Sequence, residues 1–364
     1  GGAVWTGGQI NGNSSAILNS AAATWDIQVE ERIAWGTGSI PTFVNEGTIT
    51  KTAGTSGEAQ IDVNFTNNGT LSVTTGRLDL YNWGTTSTST GSFTVGTGDE
   101  LRFESGTYNL AGGSTVTGPG TIRVDGAGVN VGGAFDPATT SVSAGVLNLN
   151  TATTLNTVNL SGGTLGGSAN MTVTDFAWTG GTLTAPTAAT STTVTGTLQM
   201  AGTTKILTGR TFNDDVPPAS PTNWTSGNLH MTQGALFNNA GRINIAGDQD
   251  VTSDGSGTTI ITNEPGATLA KTAGGGGDNT YIDHTLNNEG DVLVQTGFLR
   301  LLRGGGHPGP FTIGSSGALQ FEGGTHTVGG SIIGADALLN PSGLAATPFD
   351  NGGALANGTY YYKV

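Results

Sequence analysis

The chain has 364 residues, 63 of them Gly and none of them Cys, with a formal charge of −14 and a pI near 4.4. Only 10% of residues are charged, against the usual ~25%, so Thr, Ser and Asn keep the surface in water. These figures exclude disulfides and thiolate metal sites and argue against a nucleic-acid surface, which would be basic; Gly is not on every third position, so the chain is not collagen.

Taken from the start, GGAVWTGGQ enters without Met in the middle of a turn–strand pattern. No charged-then-apolar leader opens the chain, and no apolar run approaches the ~18 residues of a membrane span. Residues 13–35 lack Gly and are long enough for a helix. Their inner stretch TWDIQVE, however, alternates Trp25, Ile27 and Val29, which is the period of a strand. Short strands then follow one another: TLSVTT, RLDLYNW, GSFTVG, ELRFES, TYNLAG, STVTG, TIRVDG, VNVGG. Each carries two or three apolar residues on alternate positions between turn formers. They group into sets starting at Phe93, Thr115, Val142 and Val158. A period of about 21 residues made of strands and turns predicts an all-β chain folded as a parallel β-helix, or β-solenoid, over residues 1–340. One coil cannot bury its inner residues alone; the next coil must cover them. Gly and Asn at the corners are expected to accept positive φ, and stacked Asn side chains to bond from coil to coil as amide ladders.

A longer repeat overlies the coil. KTAG occurs at Lys51 and again at Lys271, and WTGGQI from Trp5 returns as WTSGNL from Trp224. Phe93–Ser114 is matched by the run from Phe311. Residues 5 to about 120 thus recur as 224 to about 337. Positions expected to face inward stay apolar, as in Phe103 and Phe321 or Leu101 and Leu319. Outward ones change: Tyr108 becomes His326, Arg77 becomes Phe298 and Asp79 becomes Arg300. Glu104 and Glu322 are the outward pair that persists.

Several residues carry chemistry by type. Asp214 and Asp215 could act as acid and base on a glycosidic bond, but Pro217, Pro218 and Pro221 follow at once and mark an acidic loop. Asp248 with Asp250, and Glu30 with Glu31, read as solvated charges. Asp283 and His284 are strand neighbours and point apart. His230, His284, His307 and His326 share no metal-ligand spacing, so no metal or cofactor is expected. GGGGDNTYID is similar to the calcium-binding nonapeptide of RTX rolls, with Asp278 in the ligand position, but those sites need tandem copies. Trp5, Trp178 and Trp224 stand in WT[GS]G motifs. Exposed, they would stack on sugar rings; otherwise they fill corners. Asn13, Asn64, Asn68, Asn170, Asn223 and Asn357 begin glycosylation sequons.

The units around Asn45–Ile49 and Phe65–Leu80 follow N-x-G-T-[ILV]…F-x-N-x-G-T-L-x-V…G-x-L-x-L. In this they resemble the repeat regions of filamentous-haemagglutinin-type bacterial adhesins. The resemblance implies a right-handed parallel β-helix, secreted and projecting from a cell surface. The tail 341–364, ending GTYYYKV, resembles the start of a fibronectin-III- or Ig-like module, and both chain ends read as cuts in a longer polypeptide. The expected function is a non-catalytic structural or adhesive stalk of a bacterial surface protein or filament. Its expected partners are host or matrix glycans, neighbouring surface proteins or other copies of itself. The alternative is a carbohydrate-binding or carbohydrate-degrading β-helix such as a phage tailspike.

Overall fold

The structure is a computed structural model that describes residues 1–54, 57–274 and 279–334. Asp278 and the tail 341–364 lie outside the described residues. The chain divides into two compact units. The first holds Gly1–Ala177 and Gly181–Pro186; the second holds Trp178–Gly180 and the described residues from Thr187 on. Each is a parallel β-solenoid without helix, with about 22 residues per turn. The stretch 13–35 is strand, as its alternation predicts: Ala16–Asn19, Thr24–Ile27 and Arg32–Trp35.

In the first unit Thr24–Ile27 pairs with Thr48–Lys51, that with Thr70–Val73, and that with Ser92–Val95, all parallel. Trp25, Ile49, Leu71 and Phe93 therefore form one column, and Ile27, Lys51, Val73 and Val95 the next. A second face stacks Ala59, Leu78, Leu101 and Ile122 beside Ile61, Leu80, Phe103 and Val124. A third stacks Ile17, Phe43 and Phe65 beside Asn19, Asn45 and Asn67. The three faces meet in a core where Ile49, Leu71, Leu78, Leu101 and Ile122 are fully buried. Each such side chain contributes about 1.5–3 kcal/mol, but only when the turns on either side cover it.

The second unit repeats this logic. Thr211–Asp214, Leu236–Asn239, Ile260–Asn263 and Thr285–Asn288 stack in register. Phe212, Phe237, Ile261 and Leu286 make one column; Asp214, Asn239, Asn263 and Asn288 make its neighbour. Phe212 and Phe237 are stacked at 5.2 Å. Alongside, Ile245, Lys271 and Val294 line the adjoining face.

The amide ladders are present, and they explain the corner Asn. Asn19 Nδ2 donates to Asn45 Oδ1 at 2.7 Å, and Asn45 Nδ2 to Asn67 Oδ1 at 2.6 Å. In the second unit Asn239 donates to Asn263 and Asn263 to Asn288, both at 2.8 Å. The same amide nitrogens also reach backbone carbonyls: Asn45 to Thr70 O at 3.0 Å and Asn263 to Asp291 O at 3.0 Å.

Positive φ is not what selects these Asn residues. Among the described non-Gly residues only Ser14 and Gln233 adopt it. The Gly two positions after Asn45 and Asn288 is chosen for closeness instead. A Cβ on Gly47 would sit 2.3 Å from Ala23 O, and one on Gly290 would sit 2.4 Å from Ala267 O. At Gly76, by contrast, φ is +74° and a left-handed turn does require Gly.

Turn length is not uniform. Ladder partners lie 26 residues apart at Asn19–Asn45, 22 at Asn45–Asn67, 18 at Asn130–Asn148 and 25 at Asn263–Asn288. The registers at Asn19–Asn45, Asn45–Asn67 and Asn263–Asn288 hold through these changes, so the surplus residues there go into the corners. A single repeat length near 21 is thus an average over different corners.

Candidate functional site

The three motif tryptophans lie inside. Trp5, Trp178 and Trp224 are 6%, 0% and 4% exposed. Trp5 Nε1 donates to Gly8 O at 2.7 Å and Trp224 Nε1 to Gly227 O at 2.6 Å, each across a Gly with positive φ. Trp35, outside the motif, makes the same bond to Gly38 O at 3.1 Å. At Trp5 and Trp224 the motif is a corner device: the Gly turns the chain and the indole N–H satisfies the carbonyl the turn leaves over. A buried ring offers no open face to a sugar. The exposed tryptophans among the described residues are Trp35 and Trp83.

The acidic candidates do not converge. Asp214 is fully buried while Asp215 is exposed, as strand neighbours should be. Asp214 accepts Thr222 Oγ1 at 2.9 Å and Val216 N at 3.3 Å. Burial, outweighing these bonds, pushes its carboxyl up to about 6. Asp248 pairs with Lys271 at 3.0 Å, and Asp250 accepts the Tyr281 N–H at 2.9 Å. Asp283 bonds Arg303 while His284 turns inward to Thr252 O at 2.9 Å. Glu104 and Glu322 are each held by an arginine, Arg102 and Arg300 respectively. Among the described residues no group of three or more His, Asp or Glu could hold a metal ion.

Buried cations serve the corners as well. Lys205 Nζ donates to Ala201 O at 3.0 Å, Thr203 O at 3.0 Å and Ser226 O at 2.8 Å. Desolvation lowers its pKa to about 8. Lys271 Nζ reaches Gly247 O, Asp248, Ala273 O and Thr280 Oγ1 within 3.1 Å. Lys51 caps Ala53 O in the same way. The repeated KTAG is therefore an ammonium placed in an aliphatic column to satisfy the carbonyls of the turn that follows it.

His307 and His326 sit against Phe311 and Phe321, with ring centroids 4.7–5.8 Å apart. His307 Nε2 and His326 Nδ1 are 3.0 Å apart, and His326 Nε2 is 2.9 Å from Gly323 O. That network assigns His307 Nε2–H as donor to His326 and His326 Nε2–H as donor to the carbonyl. His307 Nδ1 is buried without a partner. Burial, with His326 adding to it, lowers the His307 pKa to about 4. A depressed histidine stabilises the fold fully above its unfolded value near 6.5 and stops doing so as pH falls through 4. Thermal melts are expected to show a loss of about 3 kcal/mol across that window. His307→Phe, which keeps the ring packing, is expected to flatten the slope; an unchanged slope would exclude His307 as its source.

The first unit carries a charged web and an aromatic ledge on its outward side. On the strand Glu100–Leu110, Arg102 binds Glu100 at 2.9 Å, Glu104 at 3.0 Å and Asp125 at 3.4 Å. On Arg77–Ser89, Asp79 lies beneath Arg77 at 3.0 Å and is only 1% exposed. Burial raises its carboxyl to about 6 although Arg77 and Arg102 oppose this. Two positions on, the outward alternation reaches Tyr81 and Trp83, whose rings are nearly parallel, 16° apart with centroids at 6.4 Å. Trp83 Nε1 donates to Asp62 Oδ1 on the preceding turn. Between Tyr81 and Thr86 the register with the next turn shifts: Tyr81 faces Ser105 and Thr86 faces Thr107. Three residues bulge outward there. The bulge is anchored by buried Asn82, whose Oδ1 accepts Phe65 N at 2.7 Å and whose Nδ2 donates to Ser87 Oγ at 2.8 Å.

Sequence reasoning missed this ledge because Tyr81 and Trp83 sit in no motif. One signal was available. Arg77 to Phe93 is three residues longer than the matching Phe298 to Phe311. A shallow groove of roughly 690 Å³ lies elsewhere in this unit, but Gly112, Gly132, Gly133, Ala134 and Thr residues line most of it, with Asp136 its lone charge.

No protein-family model, no curated protein and no solved structure matches this chain, so the fold and the geometry above are what bear on its role.

Proposed function

We propose that the chain is a non-catalytic structural and adhesive stalk segment of a large secreted or cell-surface bacterial protein. One observation carries the reading. The amides and cations buried in the core join one turn to the next: Asn239 to Asn263 to Asn288, and Lys271 to the carbonyls at Gly247 and Ala273. Core chemistry of this kind favours a protein selected to hold its form. The paired carboxylates are not side by side: Asp214 is buried and Asp215 is exposed. The sequence resemblance to filamentous-haemagglutinin-type repeats supports the surface location.

The test is turnover on a panel of neutral and acidic polysaccharides, read for hydrolysis and for lyase products. None is expected. Turnover that disappears in the Asp214→Asn, Asp215→Asn double variant would replace this reading with a carbohydrate-degrading β-helix.

A further inference from the structure

We propose that Tyr81, Trp83 and Asp62 form a binding site for an uncharged, pyranose-containing glycan. The proposal rests on the adhesive part of the function above and gives it a place. The second sequence block closes the matching turn without the three surplus residues at the bulge. Yet the bulge is built with care. Asn82 ties its base to the preceding turn and to Ser87, and Asp62 fixes the indole by its N–H. The result is an exposed tryptophan, 44% accessible, tied by its indole N–H and set beside a second aromatic ring of nearly the same tilt. An exposed aromatic restrained in this way loses less freedom when a ligand orders on it.

The chemistry of the ledge selects the ligand. The face of an aromatic ring is electron-rich and attracts the weakly positive C–H face of a pyranose, much as it attracts cations. Around the rings stand hydrogen-bond acceptors. Asp62 is the register partner of Tyr81 on the preceding strand. The Tyr81 hydroxyl is raised in pKa, first by burial and then by Glu104, Asp79 and Asp62. Carboxylates accept sugar hydroxyls in charge-assisted bonds. Glu104 is held by Arg102 and Asp79 is buried, so it is Asp62, on a chain of net charge −14, that repels uronic, sialylated and sulfated glycans. An uncharged glycan is what remains.

The experiment uses the whole chain against immobilised neutral glycans (mannans, glucans, galactans and chitin oligomers), with polygalacturonate and a sulfated glycan alongside. Binding is expected to at least one neutral glycan and to neither acidic one. Trp83→Ala is expected to weaken that binding at least tenfold and Asp62→Asn severalfold. Trp35→Ala, which removes the other exposed indole, is expected to leave it unchanged. The thermal midpoint of Trp83→Ala should equal that of the parent, because the ring is outside the core. The proposal is overturned if no neutral glycan binds, if only acidic ones bind, or if Trp83→Ala binds as well as the parent. Cleavage of a glycan that still needs Trp83 would leave the site standing and sink the non-catalytic reading instead.

Discussion

Asp214→Asn is expected to stabilise the second unit by about 2–3 kcal/mol at pH 8 and to change little at pH 3.5. Asp214 heads the amide column of that unit and stands beside Asn239 in register. Its carboxyl is fully buried, with a pKa near 6 against 3.8 for the free side chain. A raised carboxyl favours the fold below its unfolded value, and that contribution disappears as pH climbs through 6. At pH 8 the parent therefore holds a buried carboxylate whose neighbours, Thr222 and Val216 N, offset only part of the desolvation. Asparagine removes the charge. It also supplies an Nδ2 that can donate to Asn239 Oδ1, the direction every other rung of the ladder uses. Chemical denaturation at the two pH values measures the effect. Equal stabilities of parent and variant at pH 8 would mean that the Asp214 carboxylate is as well solvated in the fold as in the unfolded chain and is not raised in pKa.

Asn263→Leu is expected to cost about 3–5 kcal/mol, the larger of the two effects. Asn263 accepts from Asn239 and donates to both Asn288 Oδ1 and Asp291 O. Leucine fills the volume but leaves buried partners on both sides without a mate, and an unpaired buried polar group costs more than its hydrogen bond was worth. Outward Asn238, which donates to Asn213 Oδ1 at 2.9 Å, is the comparison. Its alanine variant should lose under about 1 kcal/mol, because water replaces the partner. Hydrogen exchange adds a spatial readout. In a stack of turns each turn is supported by its neighbours, so protection should fall first at Ile260–Asn263 and the adjoining strands. A leucine variant as stable as the parent would show that stacked apolar columns alone hold the turns.

The architecture was legible because its rules are local and repeated. Period-two alternation marked Thr70–Val73 and Glu100–Leu110 as strands, and the recurring N-x-G marked a corner that stacks. Roles at single positions were less legible, because they depend on what lies a full turn away. Lys51 keeps the inward phase of Ile49, so the alternation itself puts it in the core; its residue type argues for solvent. Only the carbonyl of Ala53 explains the exception. Asp214 beside Asp215 set an acid–base pair against an acidic loop. Its register neighbour is Asn239, 25 positions on, and its bonds go to Thr222 and Val216 N. WT[GS]G left sugar stacking and corner filling open; the indoles of Trp5 and Trp224 bond the carbonyl of the Gly three residues on. The Tyr81–Trp83 ledge continues the outward alternation of Arg77 and Asp79, but a single chain pass hides it; comparing the lengths of the two blocks exposes it.

The bulge after Tyr81 leaves both flanks untouched: Leu80 still lies beside Phe103, and Thr88 beside Asn109. Peptide spliced between Trp83 and Thr86 would therefore be displayed as a knob on an undisturbed wall. In evolution the same latitude lets one site acquire new recognition by insertion while the interior stays under its own, separate selection. Architecture of this sort can diversify its exterior quickly without renegotiating how it folds.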